Sequence, residues 1–216
     1  MSGKLNQSGG APLTVELPYN LTYLSREELV ERLQGNVDPV ELNRILSAYD
    51  VAASVHESQF RRDGSPYFYH VTRVCKILID ELGVRDPDIL IAALLHDVLE
   101  DSSELSAEVL QYNFGPRVAQ MVQTLTKDLQ AHERDPDAVD WQQVERLRHA
   151  PPECLLIRLA TRLDNFRCLS YDLKRNPLRY IQQTWERYIP LAQQWDDPRL
   201  KQVVALLQRE RNKFLG

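Results

Sequence analysis

The sequence predicts an all-α protein, and three observations carry that expectation. Apolar residues recur at three- and four-residue spacing through most of the chain, as one buried helix face requires. Helix-start signals punctuate it, among them Ser25–Glu28, Asp38-Pro39 and Asp86-Pro87. No segment alternates apolar and polar residues for long enough to argue a sheet.

Each element follows from local chemistry. Residues 1–20 open with SGKLNQSGGAP and read as an extended or disordered tail, leaving 21–216 as a single domain. SREELVERLQ carries a capping box, and Gly35 closes the helix. Asp38-Pro39 starts a second helix reaching about Gln59, with Leu42, Ile45, Leu46 and Tyr49 on one face. FRRDGSP, 60–66, is a loop. A third helix spans about 68–82 and stops before Gly83, and a fourth starts at Asp86-Pro87-Asp88 and runs through ILIAALLHDVLED. Ser106 caps a fifth that ends at Gly115, and Pro116 starts a sixth reaching about Thr124. KDLQAHERDPDAVD, 127–140, lacks an apolar period and is expected to be a long loop near the site. Helical pattern returns at 141–149, after Pro151-Pro152, at 177–195 and at 198–214.

Bulk properties narrow the function. A chain of 216 residues can bury a core without disulfides. Net charge is −5, which gives no overall basic field and argues against nucleic acid as a partner. Three widely spaced cysteines, Cys75, Cys154 and Cys168, suit reduced thiols in a cytoplasm. The apolar run 89–95 is too short to span a bilayer.

The chemistry concentrates where that run ends. His96, Asp97, Glu100 and Asp101 crowd the end of a core helix, where unpaired ionisable groups are costly. On a continuous helix His96 stacks on Glu100 and Asp97 on Asp101. His96 and Asp97 can then offer one nitrogen and one carboxylate oxygen to a shared ion. His70, in PYFYHVTRV, lies on a helix expected to pack against this one and can face His96. Arg61 and Arg62 precede it on a Gly/Pro loop, and guanidinium groups bind phosphate and stack on bases. His56 and His149 read as surface or packing residues, and His132 is given no role.

In this order, RRDGSPYFYH, LLHDVLED, LTKD and RLATRLDNFRCL resemble the HD-superfamily alarmone hydrolases, the hydrolase domain of RelA/SpoT proteins and their small stand-alone relatives. The resemblance covers about residues 38–175. It implies an HD-domain helical bundle of about nine or ten helices and one manganese ion held by His70, His96 and Asp97. Glu100 and Asp101 are implied to orient or activate the attacking water, and Arg61, Arg62 and Asn165 to contact the nucleotide. The implied reaction removes pyrophosphate from the ribose 3′ position of guanosine tetra- or pentaphosphate.

The chain departs from the family at one ligand. The family pattern is close to LADRLHN, whereas this chain has LATRLDN. Thr161 stands where the last metal-binding aspartate is expected, and Asp164 where histidine is usual. Thr161, Asp164 and Asn165 share a helical face, so either Asp164 from one turn further along or a bridging water is expected to complete the shell. Two readings follow: a working metal-dependent pyrophosphohydrolase, or a degenerate HD domain that binds a nucleotide or partner and regulates. A third is a hydrolase of this fold acting on another phosphorylated nucleotide, because Arg62 and Ser65 depart from the usual loop residues.

Overall fold

The computed structural model describes residues 16–102, 104–172 and 176–215. Among these the chain is helical throughout. No strand forms, and two isolated bridges, Gln34 with Val37 and Phe60 with Pro66, only close turns. The helices are α1 (Arg26–Leu33), α2 (Pro39–Val55), α3 (Tyr67–Lys76), α4 (Pro87–Leu94), α5 (Val98–Asp101), α6 (Ala107–Phe114) and α7 (Pro116–Leu125). They continue with α8 (Leu129–Arg134), α9 (Pro136–Arg148), α10 (Pro152–Cys168), α11 (Pro177–Gln183), α12 (Ile189–Ala192) and α13 (Pro198–Leu215). A π-helical turn, Ile77–Glu81, extends α3, and another, Thr184–Tyr188, joins α11 to α12.

The start signals work as expected. Ser25 and Glu28 form a reciprocal capping box, and Asp38 and Asp86 accept backbone N–H groups ahead of a proline at the first helical position. α3 with its π turn ends at Gly83, whose φ is +67°, a conformation that favours glycine.

Two helices run through the centre. α4 packs against α2, α3 and α7, and α10 against α3, α7 and α13. Every residue from Ile89 to Leu95 is essentially inaccessible, which is why that run is apolar on all sides. α10 is likewise buried nearly all round and carries Arg158, Thr161, Arg162 and Asp164 inside the protein. The three cysteines are free and buried, as expected of core filler. No helix among the described residues is long and apolar enough to cross a membrane.

Three expectations change. The helix of the apolar run does not continue through HDVLED. It ends at Leu94, residues 95–97 form a turn, and α5 restarts at Val98. Leu95 and Val98 are both buried, so the apolar pattern runs across the break without marking it. His96 and Asp97 therefore sit on a corner, and the stacking expected of a continuous helix does not apply. Second, the expected 127–140 loop is mostly helical. Asp128 caps α8 and Asp135 caps α9 through their carboxylates. α8 buries no residue, so no apolar stripe announced it. Third, of the tail expected over 1–20, residues 1–15 lie outside the described residues, but Tyr19–Leu21 form a 3-10 turn packed on α3 and α10.

Leu90, wholly buried on α4, gives a direct check on the central packing. Leu90→Ala should lower stability by about 2–5 kcal/mol, read from thermal or urea unfolding, because the core cannot fully close the gap.

Candidate active site

The corner at 95–97 and the first turn of α3 face each other. His70, His96 and Asp97 are all buried, and each offers a ligand atom, these atoms lying within 4.8 Å of one another. The rings of His70 and His96 are 5.5 Å apart between centroids, edge to face. Other groups set which nitrogen each ring presents. His96 Nδ1 lies 2.7 Å from the Ala93 carbonyl oxygen and must donate to it, which leaves the Nε2 lone pair free. His70 Nδ1 lies 2.6 Å from Asp164 Oδ2, again with the ring as donor. His96 Nε2 is buried with no hydrogen-bond partner and sits 3.0 Å from Asp97 Oδ2. Tyr67 Oη donates to Asp97 Oδ2 at 2.6 Å.

A divalent metal ion fits this group. Two imidazoles are fixed in tautomer by a carboxylate and a backbone carbonyl, and a hydroxyl steadies the third ligand. Metal centres are buttressed in this way, and the orphaned His96 Nε2 is a ligand atom without another partner. Burial and the Arg61 guanidinium lower the His70 pKa to about 4, despite Asp164, so the ring is neutral, as ligation needs. Burial opposes ionisation of Asp97, but His96 and the Tyr67 hydroxyl hold its carboxyl well below the usual range.

Asp164 stands behind this group. Its carboxylate is wholly buried and accepts from His70, from Arg73 Nε at 2.6 Å, from Arg61 at 3.0 Å and from Tyr19 Oη at 3.0 Å. The three groups that converge do not include Asp164, and both its oxygens are engaged by these donors. Burial works against its ionisation, yet His70 and Arg73 hold its carboxyl far below the ordinary range. Thr161 lines the cleft, and its hydroxyl donates to the Ile157 carbonyl at 3.0 Å.

A cleft of about 650 Å³ opens over the group. Arg61, Arg62 and Asn165 line it, together with Glu100, Lys127, Arg158 and His132. Arg61 also bonds Asn165 Oδ1 at 2.5 Å, and Asn165 donates to Tyr180 Oη at 3.1 Å. Arg62 is exposed at the rim. Glu100 accepts the Lys127 backbone N–H at 2.6 Å. Burial, then the nearby Asp97, raises its pKa to about 7. Asp101 is turned toward buried His56, 3.6 Å away, and does not line the cleft.

Residues 48–196 match the family model described as HD domain. The chain belongs to the HD domain family. Among relatives, it is 36% identical over 157 residues to the mouse protein named guanosine-3′,5′-bis(diphosphate) 3′-pyrophosphohydrolase MESH1, covering 71% of this chain and 83% of that one. A protein of Aquifex aeolicus carrying the same enzyme name is 33% identical over 169 residues, 78% of this chain and 24% of the relative. The Brucella melitensis GTP pyrophosphokinase rsh is 37% identical over 168 residues, covering 76% of this chain and 22% of the relative. The chain thus spans about a quarter of the length of these two bacterial relatives. A solved structure described as "A metazoan ortholog of SpoT hydrolyzes ppGpp and plays a role in starvation responses" superposes with a TM-score of 0.66 at 29% identity, covering 78% of this chain and 95% of that chain. The matched span contains His70, His96 and Asp97.

Several residues of this HD domain site escaped sequence reasoning. Tyr67 and Arg73 flank His70 in PYFYHVTRV, and no spacing marks either as a partner of an acid thirty or ninety residues away. Lys127 and Arg158 also line the cleft, and no spacing in the sequence marks either. His132 and His56 were set aside, although the first lines the cleft and the second approaches Asp101.

Removing the buried carboxylate tests its place in the fold. Asp164→Asn strands Arg73 and should cost about 3–5 kcal/mol near neutral pH. Because the folded-state pKa is depressed, the wild-type advantage is full above the unfolded value of about 4 and shrinks as pH falls below it. Unfolding curves of both proteins from pH 7 to 3 read this directly.

Proposed function

We propose that this chain is a metal-dependent 3′-pyrophosphohydrolase acting on guanosine tetra- or pentaphosphate, with manganese as its ion. The observation that carries this is the buried convergence of His70, His96 and Asp97 under a cleft lined by Arg61, Arg62 and Asn165. The relatives named for this hydrolysis give the substrate class. The carboxylate and space for water are compatible with manganese, and the choice of manganese follows the resemblance to the alarmone hydrolases.

In this reading His70 Nε2, His96 Nε2 and Asp97 hold the ion. When bound, the ion supplies Lewis acidity and lowers the pKa of a water. The remaining chemistry belongs to the chain. Glu100 takes the proton of the attacking water, a task for which a pKa near the working pH is best. The water oxygen bonds to the phosphorus next to the ribose, the bond from that phosphorus to the ribose 3′ oxygen breaks, and pyrophosphate departs. The proton held by Glu100 passes to the ribose 3′ oxygen, so one water is added across the broken bond and atoms and charge balance. Asp101 steadies this corner through His56. Arg61 spends two of its five N–H donors on Asp164 and Asn165 and keeps the others for substrate. Arg62 at the rim meets the nucleotide, as does Asn165. Asp164 orients His70 and does not ligate. Such a protein works in the cytoplasm, where its nucleotide substrate is found.

Thr161 is the one observation that favours a degenerate, regulatory HD domain, so the assay must separate the two readings. With guanosine tetraphosphate and manganese the wild type should release pyrophosphate, and Asp97→Ala should be inactive. Glu100→Gln should lose at least about 100-fold in kcat. Arg62→Ala should raise KM with kcat little changed, as lost uniform binding does. An inert wild type that Thr161→Asp makes active would establish the degenerate reading.

The pH profile tests the base. Since Glu100 must be deprotonated to accept a proton, kcat should rise with pH through about 7 and then level. Glu100→Gln should remove that rise.

A further inference from the structure

The ion site has an unusual charge balance. The converging groups bring two imidazole rings and a single carboxylate, Asp97. Other acids nearby are committed elsewhere. Asp164 is shared among His70, Arg73, Arg61 and Tyr19. Asp140, on the far wall, is held by Arg162, Arg187 and Tyr188. Glu100 touches the backbone of Lys127, whose buried side chain offsets its charge.

Asp137, at the mouth, is held by Arg179 and Arg187, and the buried wall carries the guanidinium of Arg158. Arg158 is 4% exposed. One of its terminal nitrogens donates to the Leu125 carbonyl, and its Nε is buried without a partner. Thr161, one turn on along α10 and on the same face, turns its hydroxyl onto its own helix and adds no charge. A divalent ion here meets one carboxylate while a buried guanidinium lines the same cleft. Charges interact strongly away from water, so the protein alone is a poor host. An anion with phosphate oxygens reverses the balance, because it can face the ion and Arg158 together.

We propose that the metal ion and the phosphorylated substrate bind as a mutually dependent pair, with a substrate phosphate supplying the negative charge that Thr161 does not, drawn in by Arg158. The proposal rests on the reading of the site as a metal-dependent phosphohydrolase. Linkage makes the dependence reciprocal: whatever factor phosphate adds to metal affinity, metal adds to phosphate affinity. The free protein is then sparsely loaded, and loss of the phosphorylated product loosens the ion.

The test is manganese binding by the full chain, followed by electron paramagnetic resonance of the free ion, with inorganic phosphate as the probe. A protein-free titration corrects for the weak binding of manganese to phosphate itself. Saturating phosphate should tighten manganese binding by about tenfold, within the usual range of site coupling. Arg158→Gln should strengthen binding in the absence of phosphate and reduce the coupling to less than about threefold. Thr161→Asp should bind manganese without phosphate as well as the wild type does with it, again with little coupling. Circular dichroism checks that each variant is folded, and if Thr161→Asp is not, Arg158→Gln decides alone. Wild-type affinity that ignores phosphate would overturn the proposal and leave the metal-hydrolase reading standing. Absence of manganese binding under every condition would overturn both.

Discussion

A single buried carboxylate holds this site in shape. Asp164 accepts from a ring, two guanidinium groups and a phenol, and those donors come from α3, from the 60–66 loop and from the turn at Tyr19–Leu21. Arg73 extends the hub by donating to the carbonyls of Asn20 and Thr22, each at 2.9 Å. One ionised side chain thus ties the N-terminal turn, the loop and α3 to α10. A buried charge is tolerable only when it is matched in this way. The match also decides how His70 faces the cleft: a ring that donates through Nδ1 presents its other nitrogen outward.

The same burial sets the electrical character of the cleft. It keeps His70 neutral, pushes Glu100 upward and lowers the Lys127 ammonium to about 8, with Arg158 adding to that last effect. Opposed shifts packed against one corner are the environment in which proton transfer near neutral pH becomes feasible. The corner itself depends on the break after Leu94. A continuous helix would carry His96 and Asp97 around its axis, whereas the turn lets both face the first turn of α3.

Much of this was legible in the sequence, for physical reasons. An apolar run that ends in HD announces a buried corner with ionisable groups, and a second histidine on a packed helix announces its partner. The all-α class followed from periodicity and caps. What stayed hidden has physical causes too. The break at residues 95–97 is silent because buried residues continue on both sides of it. α8 and the start of α9 are silent because their helices rest on caps and ion pairs instead of an apolar stripe. No sequence spacing links Arg73 to Asp164, and only tertiary packing brings them together. Spacing along a helix offers Asp164 as a ligand, but it does not reveal the four donors that engage its carboxylate in the fold.

The most direct measurement is a crystal structure of the manganese-loaded protein with anomalous scattering data at the metal edge. The account predicts one anomalous peak bonded to His70, His96 and Asp97, with Asp164 hydrogen-bonded to His70 and outside the coordination shell. A peak bonded to Asp164, or one lying away from the two histidines, would contradict it.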